Sequence, residues 1–325
     1  MEEIKQIELA LDDSFPTVNS YLVIGEELSL VDCGHRKEPN WESFQSAIKE
    51  HGYELSDISS IFLTHHHTDH IGLLPKILEQ TAAKVFAPIE TKPYLENFDG
   101  RMLAHMEFQQ QLLRETAIPA AVLNAIADFM NQAREFMNDL HLPEDNIHYF
   151  KHGDKLSIGG GNYLAYHTPG HSYSQYCFLN HDHQHVFGGD MLLPLTPMPI
   201  LEEHDGKRVP SLSQLMESYE KLLEFNFKWV FPGHGAPFQD ASETIHKQMH
   251  RILARKEQCY QAILEGASSL MEIMLSMYPG IEKKMNFGAL FMAFGYVDLL
   301  IAEGRVFDEL DEKGVRRFAL TPILR

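Results

Sequence analysis

Residues 64–70 of the 325-residue chain read Thr-His-His-His-Thr-Asp-His and constrain the fold more than any other segment. The apolar run directly before them, Ile-Ser-Ser-Ile-Phe-Leu, is typical of a buried strand, so the cluster stands where a strand ends. Because side chains alternate along an extended chain, His65 and His67 point the same way. Asp69 and His70 follow the turn and can face a second centre. A purification tag would be terminal and would lack the interleaved aspartate, so the segment predicts a metal site.

Further candidate ligands follow the same local pattern, in which an apolar run ends at a turn marked by glycine and a ligand-type side chain stands beside it. The pattern recurs at Asp32, His171, Asp190 and His234. One such element is weak evidence, since a lone buried histidine is more often hydrogen-bonded in a core. The complete series in this order is strong evidence for a metal centre assembled from several strand ends.

The ordered series resembles the metallo-β-lactamase superfamily over about residues 7–240. The superfamily pattern is an early strand-end aspartate, then His-x-His-x-Asp-His, then a histidine, an aspartate and a final histidine. The resemblance implies an α+β chain folded as a four-layer αββα sandwich. Within the superfamily, the chain looks most similar to the lactamase-beta-2-like and hydroxyacylglutathione-hydrolase-like branch.

The resemblance also implies a role for each candidate residue. The first centre is His65, His67 and His171, the second is Asp69, His70 and His234, Asp190 bridges the two, and Asp32 accepts a hydrogen bond from a ligand imidazole. Asp69 is also the implied catalytic residue, which orients a hydroxide held between the metals. This donor set suits two divalent ions, zinc above all, with iron or manganese as alternatives. Two such ions activate water against a carbonyl or phosphoryl group.

The net charge of −19 is confined to residues 1–240, because residues 241–325 are neutral. An acidic domain repels polyanions, so we expect a small-molecule substrate and no nucleic-acid partner. The sequence has no apolar run of about 18 residues, which predicts no membrane span. Its first residues lack the apolar core of a secretory signal, which favours a cytoplasmic location. A homo-oligomer is left open.

Two domains are predicted, a catalytic domain over residues 1–240 and a winged-helix-like domain over 241–325. The second prediction comes from the order helix, helix, hairpin, which resembles a small domain attached to the lactamase-beta-2-like branch. Apolar residues three and four apart indicate a helical insertion at about residues 94–145. Most of its apolar residues would pack the helices on each other and on the sheet domain. The sharper hypothesis is a lid whose apolar side chains, Phe129 and Met130 among them, select an acyl portion of the substrate. The segment after Asp190 is expected to be a loop with solvated polar residues, Arg208 included.

The favoured function is hydrolysis of a small ester, thioester or lactone by a metal-bridging hydroxide. The alternative is a metal-dependent ribonuclease or phosphodiesterase of the lactamase-beta-2-like type, which the resemblance of the C-terminal region supports. A redox enzyme is disfavoured because no flavodoxin-like domain follows, and a binding protein is disfavoured because every ligand position is filled.

Overall fold

The computed structural model describes residues 2–11, 17–136, 146–194, 201–204, 207–280 and 287–322. The strands are β1 (Glu3–Ala10), β2 (Thr17–Ile24), β3 (Leu28–Val31), β4 (Ile58–Phe62), β5 (Lys84–Pro88), β6 (Ile147–Phe150), β7 (Lys155–Ile158), β8 (Gly161–His167), β9 (Tyr176–Asn180), β10 (His185–Gly189), β11 (Glu203–His204), β12 (Lys207–Arg208), β13 (Trp229–Pro232), β14 (Val306–Leu310) and β15 (Arg316–Leu320). The helices are α1 (Asn40–Glu50), α2 (Thr68–Ile71), α3 (Leu74–Leu78), α4 (Lys92–Glu96), α5 (Phe98–Arg114), α6 (Ala120–Phe136), α7 (Ser211–Leu222), α8 (Ala241–Leu264), α9 (Leu270–Met277) and α10 (Phe287–Ala302).

Two sheets dominate the described part of the chain. The first has the strand order β1-β2-β3-β4-β5-β6, and the second has the order β13-β10-β9-β8-β7. The neighbours β3 and β4 are parallel, as are β10 and β13. Since the carboxyl ends of parallel neighbours meet at one edge, each sheet brings the segments that follow these strands together.

Aromatic and aliphatic side chains fill the space between the two sheets. Phe62 of the first sheet and Phe178 of the second are both fully buried, with ring centroids 6.3 Å apart in an edge-on arrangement. Strands β3, β9 and β10 are buried along their whole length, and most of their residues are apolar or glycine.

Helices cover the outer face of each sheet. Phe44 of α1 and Ile77 of α3 belong to the core on the outer face of the first sheet. On the second sheet, Leu215 of α7, Ile252 of α8 and Leu290 of α10 share one apolar core with the strands. The predicted α+β fold with four αββα layers is therefore confirmed. The winged-helix interpretation of residues 241–325 stays a prediction, and helices α8 and α10 of this region pack on the second sheet.

The predicted insertion is the helical segment α4–α6 between β5 and β6. Ile118 and Ile126 enter the core that covers the second sheet. At its other end, the ring of Tyr94 in α4 stacks on the imidazole of His66 with ring centroids 3.5 Å apart. The segment thus reaches the histidine cluster through α4, while the side chains of Phe129 and Met130, invoked for the lid, lie outside the described residues.

The described residues of the loop 201–209, which include the short strands β11 and β12, contact the C-terminal helices. Arg208 forms a two-pronged ion pair with Asp298 of α10, and its guanidinium lies over the ring of Phe294. Arg208 is therefore an anchor of this loop, contrary to the expectation of a solvated side chain. Among the described residues, no helix combines the length and the apolar character that crossing a bilayer requires.

Phe178→Ala is expected to lower the free energy of unfolding by about 3–5 kcal/mol, because it leaves a cavity between the sheets. Phe307→Ala is the matched control, since this phenylalanine of β14 is 38% exposed and should cost about 0.5 kcal/mol or less. Urea titration followed by circular dichroism measures both. Equal losses in the two variants would contradict a sandwich held by its inter-sheet layer.

Candidate metal centre

The predicted ligands converge at one edge of the sandwich, where several strands end. Asp32 directly follows β3, and the histidine cluster follows β4 and enters α2. Asp190 directly follows β10, and His234 lies just beyond β13. The two edges are joined by backbone hydrogen bonds, from Tyr176 N to Thr64 O at 2.9 Å among others.

Three imidazole nitrogens form the first group. The Nε2 of His65 lies 3.1 Å from Nδ1 of His67, and the Nε2 of His171 lies 2.8 Å from the same Nδ1. Nitrogens bound to one tetrahedral zinc ion stand about 3.3 Å apart. The three nitrogens therefore already have the spacing of a shared ion.

The second group consists of one carboxylate and two imidazoles. Asp69 Oδ2 lies 3.8 Å from Nε2 of His70 and 3.4 Å from Nε2 of His234. The three ligand atoms lie within 4.8 Å of one another, as do those of the first group.

Asp190 lies between the two groups. Its Oδ2 is 3.4 Å from Nε2 of His171 in the first group and 3.2 Å from Nε2 of His234 in the second. Its Oδ1 is 3.3 Å from Nε2 of His70. Both Asp190 Oδ1 and His70 Nε2 are buried without a hydrogen-bond partner among the described residues. Buried polar atoms without partners are costly, and a metal ion would satisfy both, so the residues fit a pair of cations.

Hydrogen bonds behind the imidazoles fix which nitrogen faces inward. Nδ1 of His70 donates to Asp32 Oδ2 at 2.9 Å, and Nδ1 of His234 donates to the carbonyl of Thr17 at 2.7 Å. The hydroxyl of Thr64 lies 3.0 Å from Nδ1 of His65 and donates to Asp32. With the proton on the outer nitrogen, the inner lone pair is free for a metal. Asp32 thus accepts a hydrogen bond from the imidazole of His70, a candidate ligand.

Local backbone features also hold the geometry. Asp32 has φ +56°, a conformation that costs energy for any residue but glycine, and such strain persists where surrounding contacts over-determine it. Gly233 packs so closely that an added Cβ would collide with Asp190 Oδ1 and with the His70 ring. A side chain at this position would displace the bridging carboxylate.

The electrostatics of the two groups differ. Burial would raise the pKa of Asp190, but three neighbouring imidazoles hold it well below its ordinary value. Burial would lower the pKa of His234, but Asp190 and Asp69 raise it to about 10. The pKa of His65 is instead lowered by burial and by the adjacent His70. The carboxylates thus create a negative potential that favours cations at the second group, while the buried His65 stays neutral and ready to bind a metal.

Two features beside the centre have no counterpart in the sequence motif. The first is Glu202, buried with its Oε1 3.7 Å from Nε2 of His67. The second is a cavity of about 320 Å³, lined by His66 and Glu202 among others. Glu202 stands in a proline-rich segment with no periodicity, so nothing in the local sequence distinguishes it from a surface glutamate.

Comparisons with known proteins agree with this geometry. The model of the metallo-beta-lactamase superfamily matches residues 14–234. The chain is 26% identical over 306 residues to the probable metallo-hydrolase YqjP of Bacillus subtilis, covering 93% of each chain. It is 25% identical over 247 residues to an atrochrysone carboxyl ACP thioesterase of Aspergillus fumigatus, covering 75% of this chain and 59% of the thioesterase. A solved structure of the metallo-beta-lactamase family protein TTHA1429 from Thermus thermophilus has a TM-score of 0.79 at 23% identity and covers 98% of each chain.

Asp190→Asn is expected to reduce the metal content from two ions per chain to one or fewer, because the amide keeps the shape but removes the charge between the cations. Asp182→Asn, on the exposed turn before β10, is the matched control and should keep both ions. Elemental analysis after dialysis measures the content. Two retained ions in Asp190→Asn would contradict the bridging position.

Proposed function

The chain belongs to the metallo-β-lactamase superfamily, and from that premise we propose that it is a two-metal hydrolase of small esters, thioesters or lactones. Relatives at low identity carry the names of a metallo-hydrolase and of a thioesterase, which supports hydrolysis of an acyl bond. Zinc is the metal we expect, because imidazoles and carboxylates predominate and none of the buried cysteines stands among the ligand candidates.

The observation that carries this proposal is the position of Asp190 between two sets of ligand atoms. One set consists of imidazoles alone, and the other adds the carboxylate of Asp69. Oδ1 of Asp190 is buried without a hydrogen-bond partner among the described residues and faces His70 of the second set, so a second ion there would satisfy it. When bound, two divalent ions would lower the pKa of a water and polarise the acyl carbonyl.

The side chains of the chain itself would perform the remaining steps. His65, His67 and His171 would hold one ion, and the contact of His65 Nδ1 with the hydroxyl of Thr64 would keep the ring of His65 from turning. Asp69 is about one-fifth exposed, unlike buried His70, so its carboxylate lies on the open side of the centre. We propose that it accepts a hydrogen bond from the attacking water and fixes the orientation of that water toward the substrate.

The cavity beside His66 is the proposed place for the acyl portion. Tyr94, Tyr173 and Ile89 give it aromatic and aliphatic walls. Arg101 contributes a cation to the wall, but it pairs with Glu203 at 2.5 Å. The carboxylates of Glu90 and Glu202 also line the cavity, so an uncharged acyl group fits it better than an anion. Helix α4 closes one wall, which is the part of the lid hypothesis that we retain.

The arginines of the C-terminal hairpin argue against the ribonuclease alternative. Arg305 pairs with Glu257 at 2.6 Å, Arg316 pairs with Glu115 at 2.6 Å, and Arg317 pairs with Asp311 at 2.9 Å. Cations engaged in this way release few counterions from a nucleic acid. The net charge of −19 adds repulsion at long range.

Hydrolysis of acyl bonds is expected to stop on removal of metal and to resume on its return. Asp69→Asn should lower kcat by about 10²-fold or more while the protein stays folded, because the amide orients the attacking water poorly and lacks the charge of the candidate ligand. Steady-state kinetics on a thioester with dipicolinate dialysis and zinc add-back test both. Full activity after metal removal would contradict the mechanism.

A matched panel of substrates tests the chemical class. We expect turnover of neutral aryl and alkyl esters or thioesters, slower turnover of the same acyl chain ending in a carboxylate, and no cleavage of RNA. RNA or phosphodiester cleavage faster than ester cleavage would replace the acyl-hydrolase proposal by the alternative.

A further inference from the structure

We propose that Glu202 is a positioning residue of the first metal group, which holds the ring of His67 from the side opposite to the metal. The inference rests on the proposed two-metal site. It also makes the loop 201–209 a part of that site, although the metal-binding motif does not include it.

The position of the Glu202 side chain is fixed by the segment that follows His171. The side chain is 4% exposed, and its Oε1 accepts a hydrogen bond from the hydroxyl of Ser172 at 3.0 Å. Its Oε2 accepts a hydrogen bond from the backbone amide of Tyr173 at 2.6 Å. Glu202 therefore connects the segment after one ligand, His171, to the ring of another, His67.

The tautomer of His67 directs an N–H group toward the carboxylate of Glu202. Nδ1 of His67 faces the nitrogens of His65 and His171, so its lone pair must be free for a shared ion. A neutral imidazole with a free Nδ1 carries its proton on Nε2. That Nε2 lies 3.7 Å from Oε1 of Glu202, which is too long for a direct hydrogen bond but close enough for the carboxylate to attract the N–H dipole.

The same pattern holds at two other candidate ligands, His70 and His234. Asp32 stands behind His70, and the carbonyl of Thr17 stands behind His234. Carboxylates or carbonyls behind metal-binding imidazoles fix the ring orientation and increase the basicity of the ligand. Glu202 would complete this arrangement for His67, for which the motif residues supply no acceptor.

The loop that carries Glu202 is held from two directions. Gln109 of α5 donates to the carbonyl of Leu201 at 3.0 Å. From the C-terminal side, Asp298 of α10 binds Arg208, and the backbone amide of Val209 donates to the carbonyl of Glu202 at 2.9 Å. Helices outside the metal-binding sheets therefore contribute to the position of a carboxylate at the centre.

His66, His67 and Glu202 also stand close enough to hold an ion of their own. That reading needs Nε2 of His67 as a ligand, so the same atom would not donate to Glu202. The two roles predict different metal contents, two ions for a positioning residue and three for a ligand.

The test is Glu202→Gln, which keeps the size of the side chain and removes its charge. Glu115→Gln is the matched control, since this part-buried glutamate pairs with Arg316 of the C-terminal hairpin and contacts none of the described candidate ligands. Both proteins are loaded with Co²⁺. Competition with a chelator gives the affinity for each ion, and the visible absorption spectrum reports the ligand field.

We expect Glu202→Gln to weaken the binding of one of the two ions by about 10–100-fold and to shift the Co²⁺ bands. Glu115→Gln should change neither. If Glu202→Gln does not fold, Asp298→Asn is the substitute, because it loosens the loop from α10. It should weaken the binding of the ion in the first metal group by a smaller factor. These readouts need no substrate, so they stand apart from the test of the acyl-hydrolase proposal.

Unchanged affinity and an unchanged spectrum in a folded Glu202→Gln protein would overturn the inference. A third Co²⁺ ion bound by the wild-type protein and lost in this variant would also overturn it, because Glu202 would then be a ligand. If only Asp298→Asn folds, unchanged Co²⁺ affinity in that variant would also overturn the inference.

Discussion

The buried carboxylate of Asp190 faces imidazoles from both sheets, and the arrangement around it requires a positive charge. Its Oδ1 and the Nε2 of His70 have no hydrogen-bond partner among the described residues, although both atoms are buried. Such atoms destabilise a fold unless a cation, a proton or water compensates them. Strand ends, a strained aspartate at position 32 and the glycine at position 233 all serve to keep these atoms close together. The least favourable contacts of the fold are thus concentrated in the region where a metal-dependent reaction would occur.

The sandwich explains how distant parts of the chain reach that region. Parallel pairs in each sheet bring their carboxyl ends to one edge, and the inter-sheet core fixes the two edges against each other. The C-terminal helices are continuous with the outer core of the second sheet, and α10 anchors the loop of Glu202 through Asp298 and Arg208. In the proposed function, residues beyond 240 therefore support the site mechanically and need not contact a nucleic acid.

Local sequence patterns predict the structure where local chemistry decides it. The strand-turn-ligand pattern indicated the fold, and Ser269 and Glu272, spaced as a capping box, form both reciprocal hydrogen bonds at the start of α9. Such patterns do not indicate contacts between residues that are remote in sequence. Arg208 and Asp298 are 90 residues apart, and nothing near Arg208 indicates that it is paired. Glu202 is similar, because its partners His67 and Ser172 follow strands of two different sheets, β4 and β8, and are remote from it in sequence.

The central claim is that the chain holds two metal ions on the two ligand sets, with Asp190 between them. The most direct measurement is anomalous X-ray diffraction from crystals of the zinc-loaded protein, recorded above and below the zinc absorption edge. The account predicts two anomalous peaks about 3.5–4 Å apart, one beside His65, His67 and His171 and the other beside Asp69, His70 and His234. A single peak at full loading, or a second peak remote from Asp69 and His234, would contradict it.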